Sequence, residues 1–396
     1  MKRSAIYLGA GLLLLLLVWV VFRQSQKQET VLQSKDPKNQ TSGHGSASLP
    51  KGSSKDLGKE EDKIVLHAPD PALKAELQTL KSRLAQKPDR ETVLRLLREF
   101  MQKAFASNPD AAASALLEFL RTGEDLSTSL GFVVGEAGLE EWPTLRAFLL
   151  DLLGKIDPEM ASRYALDTVI PAKSSTVEYA VSLQILWNHG GAEKPTPELT
   201  QAWLGLLKKA DWSARPDPAW LESLDFASRI PEATPQFLKA STDWLADPEN
   251  VVERVGAVDL ALERMAVQQP EVIMGALVRD PSLLGLGRGI YQRSQIFARA
   301  SLNDSEQQKL LAAYLERLDP GSQEAELFFS AFPCHNFSVS PGLSGQPKVN
   351  SSREIISSDR GALQWWQSQS GTPWATQHQG EWVKTLTRIR KITENQ

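Results

Sequence analysis

The side chains best suited to chemistry are few and scattered along this chain. The histidines are His44, His67, His189, His335 and His378. None belongs to a His-Glu-x-x-His motif and no two are four residues apart, so the spacing of a helical zinc site is missing. The single cysteine, Cys334, excludes an intramolecular disulfide and a cysteine-rich zinc site. We therefore expect no metal site and no cofactor.

Three short runs come close to catalytic motifs without completing one. Cys334 and His335 are adjacent, whereas a catalytic cysteine and its histidine normally come from distant segments. The glycine-rich run Gly285–Gly289 lacks the preceding strand and the Gly-Lys-Ser/Thr ending of a phosphate-binding loop, which predicts a connection between helices. Residues 342–345, Gly-Leu-Ser-Gly, lack the spacing of a nucleophile elbow. Carboxylates are plentiful but no pair stands out, so a carboxylate-pair hydrolase stays open.

Tryptophan is the other unusual side chain, with 11 copies that crowd toward the C-terminus. The candidate partner-binding residues are Trp365, Trp366, Trp374 and Trp382. Large aromatic side chains at a surface often anchor a partner protein. The alternative is a hydrophobic hairpin that caps the end of the helical body. Adjacent tryptophans on a helix point about 100° apart, so we expect Trp365 or Trp366 to be partly exposed or covered by the preceding loop.

An irregular segment over residues 333–358 precedes this tryptophan-rich part. Pro341, Gly342, Gly345 and Pro347 prevent a helix there. Loops of this length are usually functional or disordered, and we favour disorder. A helical hairpin then follows over residues 359–396.

The elements that must position these residues are amphipathic helices. Apolar residues recur with the 3.6-residue period of a helix face from Pro71 onward. The clearest apolar stripes begin at Leu73, Val93, Leu145, Leu199, Val251 and Leu310. Each stripe needs a partner surface, so the helices must pack on one another. The pattern predicts an all-α domain over residues 70–332.

Aspartate–proline pairs mark several of the helix starts. They stand at residues 157–158, 217–218 and 247–248. Proline suits the first helical turn, and the aspartate before it accepts hydrogen bonds from free backbone amides. One segment is ambiguous, because Val177–Trp187 alternates like a strand while Ala180, Leu183 and Trp187 would serve a helix equally. No partner strand lies nearby, so we predict a helix there too.

Residues 247–261 resemble the second helix of a HEAT repeat, with an Asp-Pro turn, a valine–arginine pair and small apolar residues. This resemblance implies a stack of α-helical hairpins with a curved surface for partner proteins, as in α-solenoid scaffolds. The match is limited to about fifteen residues. The prolines that mark helix starts are also unevenly spaced along the chain, whereas a true repeat has a fixed period. An irregular helical bundle therefore remains the alternative architecture.

The N-terminus has the pattern of a membrane anchor. Lys2 and Arg3 precede an uncharged apolar run, residues 4–22, and Arg23 follows it. As a helix this run spans about 28 Å, close to the roughly 30 Å hydrocarbon core. A signal peptide would end in small residues for cleavage, whereas this run ends in Val21-Phe22-Arg23. Residues 1–27 are thus predicted to be an uncleaved anchor, with a cleaved signal peptide as the alternative.

The next segment, residues 28–69, is polar and rich in small residues, which predicts a flexible tether. The numbers of lysine and arginine residues on the two sides of the span are nearly equal, but very short N-terminal tails usually stay in the cytoplasm. We therefore expect a single-pass protein of the bacterial inner membrane with its body in the periplasm.

The charge balance narrows the class of partner. The formal net charge is −4 even though Lys2, Arg3, Arg23 and Lys27 near the membrane add four positive charges, so the remainder carries −8. An acidic body argues against nucleic acid as a partner. The sequence favours a membrane-tethered helical scaffold that binds another protein, with envelope assembly as the expected process, over an enzyme. The alternative is an all-α envelope enzyme acting on polysaccharide or peptide.

Overall fold

Helices make up most of the protein in a computed structural model. The structure describes residues 67–136, 138–172, 175–190, 194–247, 252–335, 339–347 and 350–396. The predicted anchor and most of the predicted tether lie outside these ranges. Within the ranges, no helix combines the length and the hydrophobicity needed to traverse a bilayer.

The first part of the described chain alternates helices with one small hairpin of strands. Its elements are α1 (Pro71–Leu84), α2 (Arg90–Ala106), α3 (Pro109–Arg121), β1 (Val133–Gly135), β2 (Gly138–Glu141), α4 (Leu145–Ile156), α5 (Pro158–Tyr164), a π-helix (Ala165–Val169), α6 (Thr176–His189), α7 (Pro197–Leu207), α8 (Ala210–Ala214) and α9 (Pro218–Ser223). Helices that follow one another in sequence pack together, as in the pairs α1–α2, α3–α4 and α4–α5.

The second part is helical throughout, apart from its connections. It contains two 3₁₀ helices (Leu224–Ser228 and Pro231–Ala233), α10 (Thr234–Ala246), α11 (Val252–Gln268), α12 (Pro270–Arg279), α13 (Arg288–Ala298), α14 (Ser305–Leu315), α15 (Gln323–Ala331), α16 (Ser352–Ser368), α17 (Pro373–Gln377) and α18 (Gln379–Glu394). The first three residues of the glycine-rich run, 285–287, lie in the connection between α12 and α13, as predicted, whereas Gly289 already belongs to the first turn of α13. Gly287 has a φ of 53°, which favours glycine at the residue that precedes α13.

The apolar stripe of α1 and two of the three predicted caps are confirmed, whereas Phe105, predicted in the stripe of α2, is exposed. In α1 the four stripe leucines, Leu73, Leu77, Leu80 and Leu84, are all buried. The Asp157 side chain accepts from the Met160 amide at 2.9 Å, and the Asp217 side chain from the Trp220 amide at 2.9 Å. The third pair cannot be followed, because residues 248–251 lie outside the described ranges.

The ambiguous segment is helix α6, and its surroundings explain the strand-like alternation. Every residue from Tyr179 to Trp187 is buried. The helix packs against α4, α5, α7 and α9. A helix enclosed on all sides has no polar face, so the 3.6-residue pattern of a surface helix disappears from its sequence.

The two short strands were not predicted. β1 and β2 pair antiparallel, with Val134 opposite Leu139 and Gly135 opposite Gly138. The Glu141 carboxylate at the end of β2 pairs with the Arg90 guanidinium of α2. Strands this short carry too few alternating residues to be recognised from sequence.

The boundary predicted for the C-terminal hairpin is wrong. Helix α16 begins at Ser352 rather than at residue 359. Its start is fixed by a capping box, in which the Ser351 hydroxyl accepts from the Glu354 amide and the Glu354 carboxylate accepts from the Ser351 amide. The irregular segment is therefore shorter than predicted, and its end is set by these two side chains.

Candidate binding cleft and arginine clasp

The four candidate tryptophans lie close together, but in the interior. Trp365, Trp366 and Trp374 are buried, and Trp382 is partly buried against the core. The Trp366 ring centroid lies 4.8 Å from that of Phe332 and 5.3 Å from that of Trp374. The Trp366 indole N–H donates to the Trp382 carbonyl at 3.1 Å.

The first alternative, that Trp365 or Trp366 is partly exposed, is therefore wrong, and the second, cover by the preceding loop, stays a prediction. Helix α16 meets α15 through Phe329 and Phe332, and it meets α17 through Trp374. It also packs on α18. Two side chains about 100° apart on α16 thus both face protein. This packing favours the cap interpretation over a surface anchor.

A different feature is the best candidate for a binding site. A cleft of about 450 Å³, here called the polar cleft, opens between the α11–α12 junction, the α13–α14 connection and the first turns of α16. Its polar lining includes Gln268, Glu271, Arg299, Asn303, Asp304, Gln307, His335 and Glu354. A cavity of this size holds a small ligand or a few residues of a peptide.

His335 lies at the base of the polar cleft, and both of its ring nitrogens are engaged. Its Nδ1 lies 2.7 Å from Asp359 Oδ1, and its Nε2 lies 3.0 Å from the Ala300 carbonyl oxygen. Asp359 also accepts from the Gln396 side-chain amide. A general base needs a nitrogen within reach of substrate. His335 instead ties the chain after α15 to the α13–α14 connection and to α16.

The carboxylates of the polar cleft also accept hydrogen bonds from neighbouring side chains or helix ends. Glu271 Oε1 accepts from the Gln307 side-chain amide at 2.5 Å. Asp304 caps α14 by accepting from the amides of Glu306 and Gln307, and Glu354 belongs to the capping box of α16. Among the described residues that line the cleft, no serine hydroxyl is hydrogen-bonded to His335, whose ring nitrogens face Asp359 and the Ala300 carbonyl. No group of three or more potential metal ligands occurs in the described part of the chain either.

The polar cleft nevertheless keeps a net negative character. It presents the three carboxylates together with one guanidinium, that of Arg299, which pairs with Glu263 outside the lining at 3.0 Å. A carboxylate offers about four acceptor positions, and Glu271 accepts one hydrogen bond and Asp304 two, so these two carboxylates can accept more. The arrangement suits a cationic group that donates several hydrogen bonds.

A second polar cluster lies beside the cleft, and we call it the arginine clasp: Asp225, Arg229, Arg264 and Trp187. Asp225 and Arg264 form an ion pair at 3.0 Å, and both side chains are almost completely buried. The Arg229 guanidinium lies 5.7 Å from the Trp187 ring centroid. Burial lowers the pKa of Arg229, an effect that the nearby Asp225 carboxylate opposes.

The clasp holds residues 339–347, the described middle of the irregular segment. Arg264 donates to the carbonyls of Ser340 and Pro341, at 3.0 and 2.6 Å. The Asp225 carboxylate accepts from the Ser344 amide at 2.7 Å. The disorder favoured from sequence is therefore wrong for these residues, because buried charges that composition cannot reveal fix their main chain.

No sequence motif marks the clasp. Arg264 stands within the apolar stripe of α11 and Asp225 within a 3₁₀ turn, and neither belongs to a motif. The only hint was a charged residue inside a stripe that is otherwise apolar. Ser344, in the run tested against a nucleophile elbow, instead accepts from Arg229 Nε at 3.1 Å.

Comparison with protein-family models, curated proteins and solved structures finds no match for this chain. Function must therefore be inferred from the polar cleft, the clasp and the pattern of the sequence.

Proposed function

We propose that this chain is a membrane-tethered helical protein whose polar cleft binds a basic segment of another protein. The observation that carries the proposal is the composition of the cleft. It holds three carboxylates and one guanidinium, the guanidinium is paired with Glu263, and most of the other lining side chains carry hydroxyl or amide groups. A lysine or arginine side chain supplies a positive charge and several donors for the carboxylates.

An enzymatic role has less support. Glu271, Asp304 and Glu354 are each bound to a neighbouring helix end or side chain, and both nitrogens of His335 face oxygen acceptors. Acid–base or nucleophilic catalysis needs two such groups directed at one reacting atom. The described lining of the polar cleft supplies no such pair.

The proposed scaffold role includes an architecture for the body and a location in the cell. The packing of helices that follow one another in sequence supports a series of stacked hairpins over residues 70–332, of the kind that the HEAT resemblance implies. The apolar run 4–22 supports attachment to the bacterial inner membrane, with residues 28–69 as a tether and the body in the periplasm. A tethered acidic body in that position would serve envelope assembly.

The charge of the polar cleft can be removed without breaking its caps. The triple variant Glu271→Gln, Asp304→Asn and Glu354→Gln keeps an acceptor at every capping position, because asparagine and glutamine also serve there. The probe is a fluorescent tetra-arginine peptide, whose anisotropy is measured with the full-length chain in detergent. We expect the triple variant to bind it roughly tenfold more weakly, about 1.4 kcal/mol.

The matched control neutralises three exposed acids on α2 and α3, with Glu99→Gln, Asp110→Asn and Glu118→Gln. The overall charge change is the same, but the polar cleft is untouched. An equal loss of peptide binding in both variants would show a general charge effect and would overturn the proposal.

A further inference from the structure

Residues 339–347 are held by the arginine clasp in the manner of a bound peptide. Most of the hydrogen bonds from the clasp reach main-chain atoms of the segment, at Ser340, Pro341, Ser344 and Gln346. One side-chain contact is the Ser344 hydroxyl, which accepts from Arg229. The Leu343 side chain adds a buried apolar anchor. Main-chain hydrogen bonds with one anchoring side chain are the usual basis of peptide recognition.

The bound segment also has a defined shape. Gly342 and Gly345 exchange backbone hydrogen bonds at 3.2 and 2.9 Å, which closes a tight turn, and Gly345 has a φ of 102°. A Cβ atom at Gly342 would overlap the Asp225 carboxyl group and lie 2.6 Å from Arg264 Nη1. The clasp therefore selects a turn with glycine at the position that faces the ion pair.

The clasp keeps internal contacts that do not involve the segment. Asp225 pairs with Arg264, and Arg229 Nη1 donates to the Gln268 side-chain carbonyl at 3.2 Å. A cavity of about 460 Å³ lined by Trp187, Arg229 and Gln268 extends beside the clasp. Buried ion pairs are weak evidence for a stabilising role, whereas charged groups arranged around a main chain are suited to binding one.

We propose that the arginine clasp is a peptide-binding site that residues 339–347 occupy in cis. The occupant from outside is a glycine-turn segment of a partner protein, with the form Pro-Gly-x-x-Gly, which displaces the internal segment. This proposal does not rest on the polar cleft, because none of the four clasp residues lines it. The covalent attachment of the internal segment gives it an effective concentration of the order of millimolar, so the wild-type chain should bind an added peptide only weakly.

The test uses a substitution in the internal segment that should release the segment from the clasp. Gly342→Ala, in the full-length chain in detergent, should expel the internal turn because of the overlap with Asp225. A fluorescent synthetic peptide with the sequence of residues 339–347 is then titrated by anisotropy. We expect the variant to bind this peptide at least roughly tenfold more tightly than the wild type. The same peptide with its own glycine 342 replaced by alanine should not bind.

Two further variants keep the outcome decisive. Gly345→Ala strains the turn through its positive φ without a clash, so it opens the clasp even if Gly342→Ala does not fold. Adding Arg229→Ala to the opened chain should abolish peptide binding. A folded Gly345→Ala variant that binds the peptide no better than the wild type would overturn the proposal, as would exchange of the segment between two copies in a dimer.

Discussion

Asp151 shows how a single buried group can set the pH dependence of folding. Burial raises the pKa of this carboxyl group, while the Lys155 ammonium at 2.8 Å and the Trp142 indole N–H at 3.0 Å oppose the rise. The folded state therefore keeps this proton to a higher pH than the unfolded state. The contribution of Asp151 to the free energy of unfolding is present below its unfolded pKa and is lost as the pH rises through the folded one. We expect Asp151→Asn to gain stability relative to the wild type as the pH rises above about 4, measured by urea denaturation.

Asp89 provides a control with the opposite sign. The Thr92 amide and hydroxyl lower the pKa of this exposed capping carboxylate. Its contribution is complete above the unfolded pKa, near 3.8, and is lost as the pH falls through the lower folded one. Asp89→Asn should therefore lose stability relative to the wild type as the pH rises toward about 4, and should show no further relative change above it. Parallel pH profiles for the two variants would contradict the assignment to Asp151.

Single residues also show which contacts could be predicted from sequence and which could not. The capping aspartates Asp157 and Asp217 were predicted, because a cap and its helix are neighbours in the chain. Asp225 and Arg264 were not, since their pairing depends on a 3₁₀ turn and a helix meeting in space. A site assembled from separate segments leaves no local pattern unless it uses a known motif.

Among the elements, α16 carries the sharpest prediction about stability. Trp366 is fully buried between Phe332 and Trp374, so Trp366→Ala should leave a large cavity. We expect the free energy of unfolding to fall by roughly 3–5 kcal/mol, measured by urea denaturation. The control is Val383→Ala on α18, whose side chain is 48% exposed, with an expected change within about 0.5 kcal/mol. Normal stability of Trp366→Ala together with lost partner binding would restore the tryptophans as a binding site.

Helices could be predicted from sequence where one face is buried and the other is exposed, because only then do apolar residues recur with the helical period. Helix α1 buries one face, so its leucines showed the helical period. Helix α6 is buried all round, and its period was obscured. The β1–β2 hairpin and the π-helix Ala165–Val169 depend on a few residues each, too few for any period to emerge.

For the whole molecule, the two proposed binding sites share one region of the described body. Gln268 lines the polar cleft and also accepts from Arg229 of the clasp. His335 and Asn350 both line the polar cleft, and residues 339–347, which lie between them in sequence, are held by the clasp. A partner that displaces the segment from the clasp would therefore also disturb the lining of the polar cleft.

For the full-length protein, we predict attachment to a membrane. The apolar run 4–22 is long enough to span the hydrocarbon core and is flanked by basic residues. The full-length protein should therefore remain in the membrane fraction after carbonate extraction. Deleting residues 1–27 should move it to the soluble fraction with its helical circular dichroism unchanged, because the stripes of residues 70–332 bury one another without the anchor. A mature N-terminus near residue 25, read by mass spectrometry of the intact protein, would instead identify residues 1–27 as a cleaved signal peptide and would leave the body without a tether.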